Sequence, residues 1–301
     1  MKKPKVLIVT LNYNNLPDTE DFIKTASKLN YKNFKILIAD NSKDNKGFVY
    51  LKKKYPKVIH IFNNGNLGCS GGNNVGINYA INNGFKYVWI MNNDVEIDRN
   101  CLNEMVNVIQ KNKKAAAVGS KYYDFEKRNL LMSVARKMVW RTGRLVCTFG
   151  EAEDKGQFDH IKEAEYVWAG SVMYDVDKIK KVGFYDDNIF VYYEALDYQL
   201  RVKNAGYKVL IAPKAKVWHK GGRSQPTRII FDYYTTRNRI LVMEKHARFS
   251  DKFFFFLYLF FFATPSNLLR RIVKLKFKST KWFLIGLFDG LFENYGRKEF
   301  S

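Results

Sequence analysis

Cysteine is scarce in this sequence, acidic side chains are in the minority, and apolar runs are short. The three cysteines, Cys69, Cys101 and Cys147, form no close pair of the CxxC kind, so neither a disulfide framework nor a cysteine-based zinc site is supported. A reducing compartment is the expectation. The longest apolar run, Phe253 to Ala263, has 11 residues, whereas a bilayer-spanning helix needs about 20. It is expected to lie on a membrane or inside the protein rather than to cross a bilayer. The charged start, Met1 to Lys5, leads directly into Val6 to Leu11 and lacks the small-residue cleavage site of a signal peptide, so no export is expected. Acids number 29 against 51 Lys and Arg, a net charge of +22, which draws a chain to nucleic acid, anionic lipid or phosphorylated substrates. Charge alone does not choose among them.

What is present is a chain that folds. Hydrophobic residues make up 47% and aromatic residues 16% of 301 positions, which excludes a disordered chain and allows one large α/β domain or two smaller ones. Val6 to Leu11, Lys35 to Ala39, Val58 to Phe62 and Tyr87 to Met91 read as buried strands, with helices over Thr19 to Leu29, Ser70 to Asn82 and Arg99 to Lys111 between or after them. This alternation predicts a doubly wound, mostly parallel sheet with its ligand beyond the C-terminal strand ends. Further strands are expected over Ala115 to Tyr122, Tyr166 to Tyr174 and Lys208 to Ala212, with a helix over Glu194 to Ala205 ended by Gly206. Past Pro226 the alternation stops and a helical segment, Thr227 to Ala247, follows. A functional boundary is placed near residue 226.

Polar residues gather where the fold would place a ligand. Asn12 follows the first strand, Asp40-Asn41-Ser42 the second, Asn64 to Gly76 the third and Asn92-Asn93-Asp94 the fourth. The glycines between Asn66 and Gly76 open a predicted helix, so backbone N–H groups there can approach a diphosphate. A plain flexible loop is the competing reading. Asp94, at a strand end beside that loop, is placed to hold Mg²⁺ or Mn²⁺, hard cations that take oxygen ligands, and an Asn-Asn-Asp turn is its alternative.

Seven segments in order, VTLNYNN, ADNSKD, NLGCSGGNNVGI, MNNDVEID, YYEALDYQLRVKNAGY, WHKGGRS and YYTTRNRI, resemble family 2 of the nucleotide-sugar glycosyltransferases, particularly its rhamnosyltransferase-like branch. The likeness covers roughly residues 4 to 245, and the later Gly286 to Leu291 is similar to that branch's GLxDGL segment. It implies a GT-A fold, a nucleotide-diphosphate sugar donor such as a UDP- or dTDP-sugar, a divalent metal, and inversion at the anomeric carbon. By position it implies donor contacts from Thr10, Asn12, Asp40, Asn66, Gly68, Asn73, Asn92 and Asn93, and metal contacts from Asp94 and His219. His219 as a satisfied strand-end histidine is the bland alternative.

The base is where the resemblance and the residues disagree. A sugar hydroxyl needs a carboxylate to take its proton, and the family's base position is occupied by Ala195. Three readings follow: Glu194 or Asp197 supplies the base, the chain is catalytically silent, or the acid has been replaced on purpose. Asp197 points elsewhere on the helix, which makes Glu194 the better candidate. Residues 245 to 301 hold 11 Lys and Arg against four acids, beside two apolar blocks. That composition suits a segment lying on anionic lipid, with a buried helix as the alternative. The sequence thus points to a glycosyltransferase at the cytoplasmic face of the cell membrane, peripherally attached, acting on a lipid-linked saccharide acceptor. A silent sugar-nucleotide binder is the second reading. A nucleic-acid-binding protein, motivated by charge, explains none of the motifs.

Overall fold

The computed structural model describes residues 3–160, 163–221 and 227–300. The boundary placed near residue 226 and the end of WHKGGRS from Gly222 lie outside the described residues. The chain runs β1 (Val6–Asn12), α1 (Leu16–Ala26), β2 (Phe34–Asp40), α2 (Lys46–Lys54), β3 (Ile59–Phe62), α3 (Gly68–Asn82), β4 (Tyr87–Met91), β5 (Val95–Ile97), α4 (Cys101–Lys111) and β6 (Ala115–Asp124). It continues through β7 (Leu130–Ser133), β8 (Ala135–Val139), β9 (Arg144–Phe149), β10 (Ala152–Glu153), β11 (Ser171–Asp175), α5 (Val176–Val182), α6 (Glu194–Asn204) and β12 (Lys208–His219). Helices α7 (Arg228–His246), α8 (Phe249–Tyr258), α9 (Thr264–Val273) and α10 (Phe277–Leu291) complete it.

The apolar runs become sheet because both faces are covered. Along β1, Val6 and Ile8 enter one core with Phe22 and Ile23 of α1 and Leu102 and Met105 of α4. Leu7 and Val9 enter the other with Ile77 and Ala80 of α3 and Tyr198 and Val202 of α6. Alternation across a strand sends successive side chains to opposite faces. Gly76 makes the α3 contact possible, since a Cβ there would overlap the side chain of Val9.

The expectation of a mostly parallel sheet needs correction. Strands β3, β2, β1 and β4 run parallel, but β11 inserts antiparallel between β4 and β6, and β6 pairs antiparallel with β7. The sheet is mixed. Strand β11 starts at Ser171 rather than Tyr166, because the chain turns at Ala169-Gly170 and Gly170 lies against the hydroxyl of Tyr122, where a Cβ would clash. Strand β12 runs on past Pro213 to His219, absorbing the proline in a register shift between Ala212 and Lys216. Its far end pairs with β5, His219 opposite Val95. Helix α2 escaped the sequence pattern because it buries only Leu51.

The C-terminal part packs on this body. Gly286 and Gly290 let α10 close on the backbone of α7; a Cβ on Gly286 would stand 2.6 Å from the Tyr233 carbonyl oxygen. Between them, Asp289 accepts the Tyr233 hydroxyl at 2.7 Å, so the GLxDGL segment builds a helix interface. The 11-residue apolar run also proves to be part of something longer. Helices α8 and α9 join through a wide-turn segment, Leu259–Ala263, into one 25-residue helix, Phe249–Val273, long and apolar enough to cross a membrane by length and composition. The length argument against crossing therefore does not hold. Most of this helix faces outward, with Phe249 88% and Phe261 71% exposed.

Candidate active site

Parallel strands place their C-terminal residues along one edge, and there the polar side chains bond to one another. Asn12 donates from Nδ2 to Asp40 Oδ2 at 2.9 Å, the Ser42 amide donates to Asp40 Oδ1 at 2.8 Å, and Thr19 donates to Asn12 Oδ1 at 3.0 Å. Asn93 closes the chain by donating to the Thr19 hydroxyl at 3.0 Å. Asn12 and Asp40 are buried, and this network fixes the floor of the crevice. Thr10 lies beneath it, fully buried, its hydroxyl donating to the Met91 carbonyl at 2.8 Å. It ties β1 to β4 and cannot face a ligand. Asn92, in contrast, is exposed at the end of β4.

The start of α3 does not offer the anion cradle expected of it. Its Gly68 amide donates to Asn66 Oδ1 at 2.9 Å, and the Cys69 amide donates to the Phe190 carbonyl at 2.7 Å, with Ser70 on the same oxygen at 3.4 Å. The glycines serve close packing instead: Gly68 has φ +72° against Phe190, and a Cβ on Gly72 would press on Asn41 and Leu11. Asn73, one turn on, is buried with its Oδ1 lacking a hydrogen-bond partner within the protein, so it retains an acceptor for a ligand.

Asp94 and His219, 125 residues apart in sequence, meet at this edge: Asp94 Oδ2 lies 3.0 Å from His219 Nε2. Antiparallel pairing of β12 with β5 brings them together, and the Lys220 amide, donating to the Asp94 carbonyl at 2.9 Å, fixes the crossing. A carboxylate and an imidazole at that spacing suit either a hydrogen bond or two ligands of one metal ion. Among the described residues no cluster of three or more His, Cys, Asp or Glu could hold a metal.

Glu194 opens α6 after two consecutive left-handed residues, Tyr192 at φ 64° and Tyr193 at φ 70°. That backbone is costly for bulky side chains, of order 1–3 kcal/mol each, and persists only where surroundings impose it. Asn238 of α7 imposes it, donating from Nδ2 to the carbonyls of Val191 at 2.8 Å and Tyr192 at 2.9 Å. Arg237 adds a bond to the Asn188 carbonyl at 3.1 Å. Glu194 is buried and its Oε2 has no partner. Burial pushes its carboxyl up to about 7, and no cation opposes this. Its charge is felt by Cys69 and Tyr166, both raised first by burial and then by Glu194. Tyr122 is raised by burial, then by Asp94, and slightly by Tyr166. Tyr122, itself buried, stacks beside the His219 ring with centroids 5.2 Å apart.

The other two helix-start residues fall elsewhere. Asp197 is fully enclosed, with Oδ1 2.9 Å from His246 Nε2 and 2.6 Å from Lys245 Nζ, and Oδ2 2.9 Å from Arg201 Nε. Burial acts to raise its carboxyl, but the His246 hydrogen bond, Arg201 and Lys245 outweigh it and hold it at about 2. It is an internal counter-ion, fully buried. Ala195 is buried in an apolar cluster with Met138, Tyr166, Ile189, Leu196 and Val242. Asn238 falls within the YYTTRNRI segment, but its grip on the turn was not legible, since neither long-range packing nor positive φ at tyrosine has a local signature.

Comparison with known proteins places this geometry. The family model described as Glycosyl transferase family 2 matches residues 6–161, just over half of the chain. Among solved structures, GalNAc-T7 with UDP, GalNAc and Mn²⁺ is similar at a TM-score of 0.62 and 13% identity, over 81% of this chain and 48% of that one. The chain thus spans about half the length of that structure. The mannosyltransferase PcManGT from Pyrobaculum calidifontis, in complex with GDP-Man and Mn²⁺, is similar at 0.60 and 11% identity, covering 97% of this chain and 88% of that one. S. aureus TarS is similar at 0.53 and 11%, over 81% and 40%. These likenesses concern the fold. No curated protein sequence matches the chain.

Proposed function

The chain belongs to glycosyl transferase family 2, and from that premise we propose that it transfers a sugar from a nucleotide-diphosphate donor to the hydroxyl of a lipid-linked saccharide, with inversion. The observation that carries this reading is Glu194: an enclosed carboxyl with one oxygen unpartnered, pushed up to about 7 by burial, in a chain that also brings Asp94 and His219 together. A base poised near the working pH serves proton removal best. The acceptor oxygen bonds to the anomeric carbon as the bond from that carbon to the donor's phosphate oxygen breaks. Its proton passes to Glu194, and the nucleoside diphosphate leaves with the electron pair. One displacement from the face opposite the leaving group inverts the anomeric centre.

Asp94 and His219 would hold a divalent ion, Mg²⁺ or Mn²⁺. Two protein ligands leave room for donor phosphate oxygens and water, the shell such cations prefer beside phosphates. When bound, the ion would neutralise charge on the departing diphosphate. Asn12, Asp40 and Asn93 form the floor on which the nucleoside rests, with Asn73, Asn66 and Asn92 at its rim. Uridine and deoxythymidine diphosphate sugars, rhamnose among them, are the donors to try first. Residues 1–226 carry the transfer site. Residues 227–301 carry the membrane contact, at the cytoplasmic face, with the exposed phenylalanines of Phe249–Val273 entering the lipid.

The test is a thermal-shift screen of nucleotide-diphosphate sugars with and without Mn²⁺, followed by product detection with the stabilising donor. At least one donor is expected to stabilise the protein only with metal, and Asp94→Ala should abolish that dependence. Equal, metal-independent stabilisation of both proteins would remove Asp94 from its role.

A further inference from the structure

Where α9 turns into α10, a cavity of about 300 Å³ is walled mostly by cations: Arg228, Arg270, Arg271, Lys274 and Lys276, with Asn267 and Ser279. No acid lines it. Beneath it lies one buried counter-charge, Asp232, which takes Arg271 Nη2 at 2.9 Å and Arg228 Nε at 3.1 Å and accepts the Ser279 hydroxyl. One carboxylate among five cations leaves an excess of four positive charges. Among the described residues no carboxylate pairs with Arg270, Lys274 or Lys276.

The cavity is built, not a loose lysine patch. Arg271 is 9% exposed and held by Ser279 at 3.2 Å, by Asn267 at 2.9 Å and by the Phe283 ring at 4.6 Å. With the Asp232 contact, its three hydrogen-bonding partners use three N–H groups, and a guanidinium has five. Two remain for a ligand. Helix α10 starts here with no side-chain cap and no acid in its first turn, so its first amides and its dipole also favour an anion. Crowding like charges around a buried arginine opposes folding, and an anion in the cavity would relieve it.

The rim identifies the kind of anion. Leu269, Ile272, Val273, Leu275 and Phe277 neighbour the lining residues along the chain and are each more than half exposed, the first three on the outward-facing Phe249–Val273 helix. We propose that this cavity is a seat for the phosphate headgroup of an anionic lipid, with the acyl chains along that rim; the assignment rests on the membrane contact proposed above. A phosphate meets the guanidinium and ammonium groups through charge-assisted hydrogen bonds, and the seat fixes the depth and tilt at which the apolar helix meets the bilayer.

The full-length chain is tested by co-sedimentation with phosphatidylcholine vesicles, with and without phosphatidic acid. Two triple variants of equal charge change are compared: Arg270→Gln, Lys274→Gln, Lys276→Gln at the cavity, and Lys111→Gln, Lys113→Gln, Lys114→Gln on a distant exposed stretch. Calorimetry with soluble dihexanoyl phosphatidic acid and with inorganic phosphate is run alongside. The cavity triple is expected to lower affinity for acidic vesicles by roughly a hundredfold, at about fivefold per basic residue. The distant triple should cost well under half of that on a logarithmic scale, and the soluble lipid should bind the parent but not the cavity triple. Equal losses in both triples mean diffuse charge and overturn the seat. Inorganic phosphate binding as tightly as the soluble lipid overturns the lipid assignment. If no vesicle binds but the soluble lipid does, and the cavity triple abolishes it, the seat stands and the membrane contact falls. If the soluble lipid does not bind, the seat falls whatever the vesicles do.

Discussion

Two polar regions of the molecule are built on opposite principles. At the strand ends, Asn93, Thr19, Asn12 and Asp40 are linked in a line of hydrogen bonds. At the start of α6, Glu194 is equally buried but has an oxygen with no partner. A satisfied network holds shape, since disturbing it leaves buried groups unpaired. An unsatisfied carboxyl in an apolar setting stores a raised proton affinity, which is a chemical capacity rather than a structural one. The floor and the base are thus separable by mutation.

The largest effect should come from Glu194→Gln. Transfer should fall by about 10²- to 10⁴-fold while donor affinity stays within about twofold, and the parent's rate should rise with pH and level off above about 7, where Glu194 is deprotonated. Steady-state kinetics from pH 5.5 to 9 check both. Brisk turnover by the glutamine variant would break the contrast.

Next comes Ala195→Asp. Because this position faces the apolar cluster of Met138 and Val242, a carboxylate there lacks a partner, and stability should fall by about 3 kcal/mol in denaturant unfolding. No gain in transfer rate is expected. A rate increase would show that the side chain reaches the crevice after all and that Glu194 is not the base.

Asp197→Asn probes a buried acid of the opposite kind. With its carboxyl lowered from 3.8 to about 2, the charged form favours folding above pH 3.8, and that contribution is lost as pH falls through 2. The variant should be less stable by about 2 kcal/mol at neutral pH, and the difference should shrink as pH drops from 4 to 2. A gap independent of pH would mean that packing, not charge, holds Asp197.

Thr10→Val should have the smallest effect. Losing the bond to the Met91 carbonyl should lower stability by about 1 kcal/mol and leave donor affinity unchanged. A clear loss of nucleotide binding in a thermal-shift titration would return Thr10 to the site.

The sheet's parallel half was legible because β1, β2 and β4 are unbroken apolar runs, which only a strand covered on both faces needs. Strand β11 begins later than the apolar pattern predicts and runs antiparallel in a sheet expected to be mostly parallel, since both depend on what lies beside Ser171 in space. Asp94 could be picked out by its place after β4, whereas His219 came only through the family resemblance, and its approach to Asp94 depends on a strand that continues through Pro213. The diphosphate cradle was overread: glycines before a helix look alike whether the amides face a ligand or, as here, the carbonyl of Phe190. Glu194 was visible as an acid, but its isolation from cations was not.

The hold of Asn238 on the carbonyls of Val191 and Tyr192 bears on protein engineering. A chimera that grafts a foreign C-terminal half onto this catalytic body would keep every strand-end residue and still lose the turn that presents Glu194. Residues 188–193 and the face of α7 carrying Arg237 and Asn238 have to be exchanged as a single cassette, whatever acceptor or membrane the new half was chosen for.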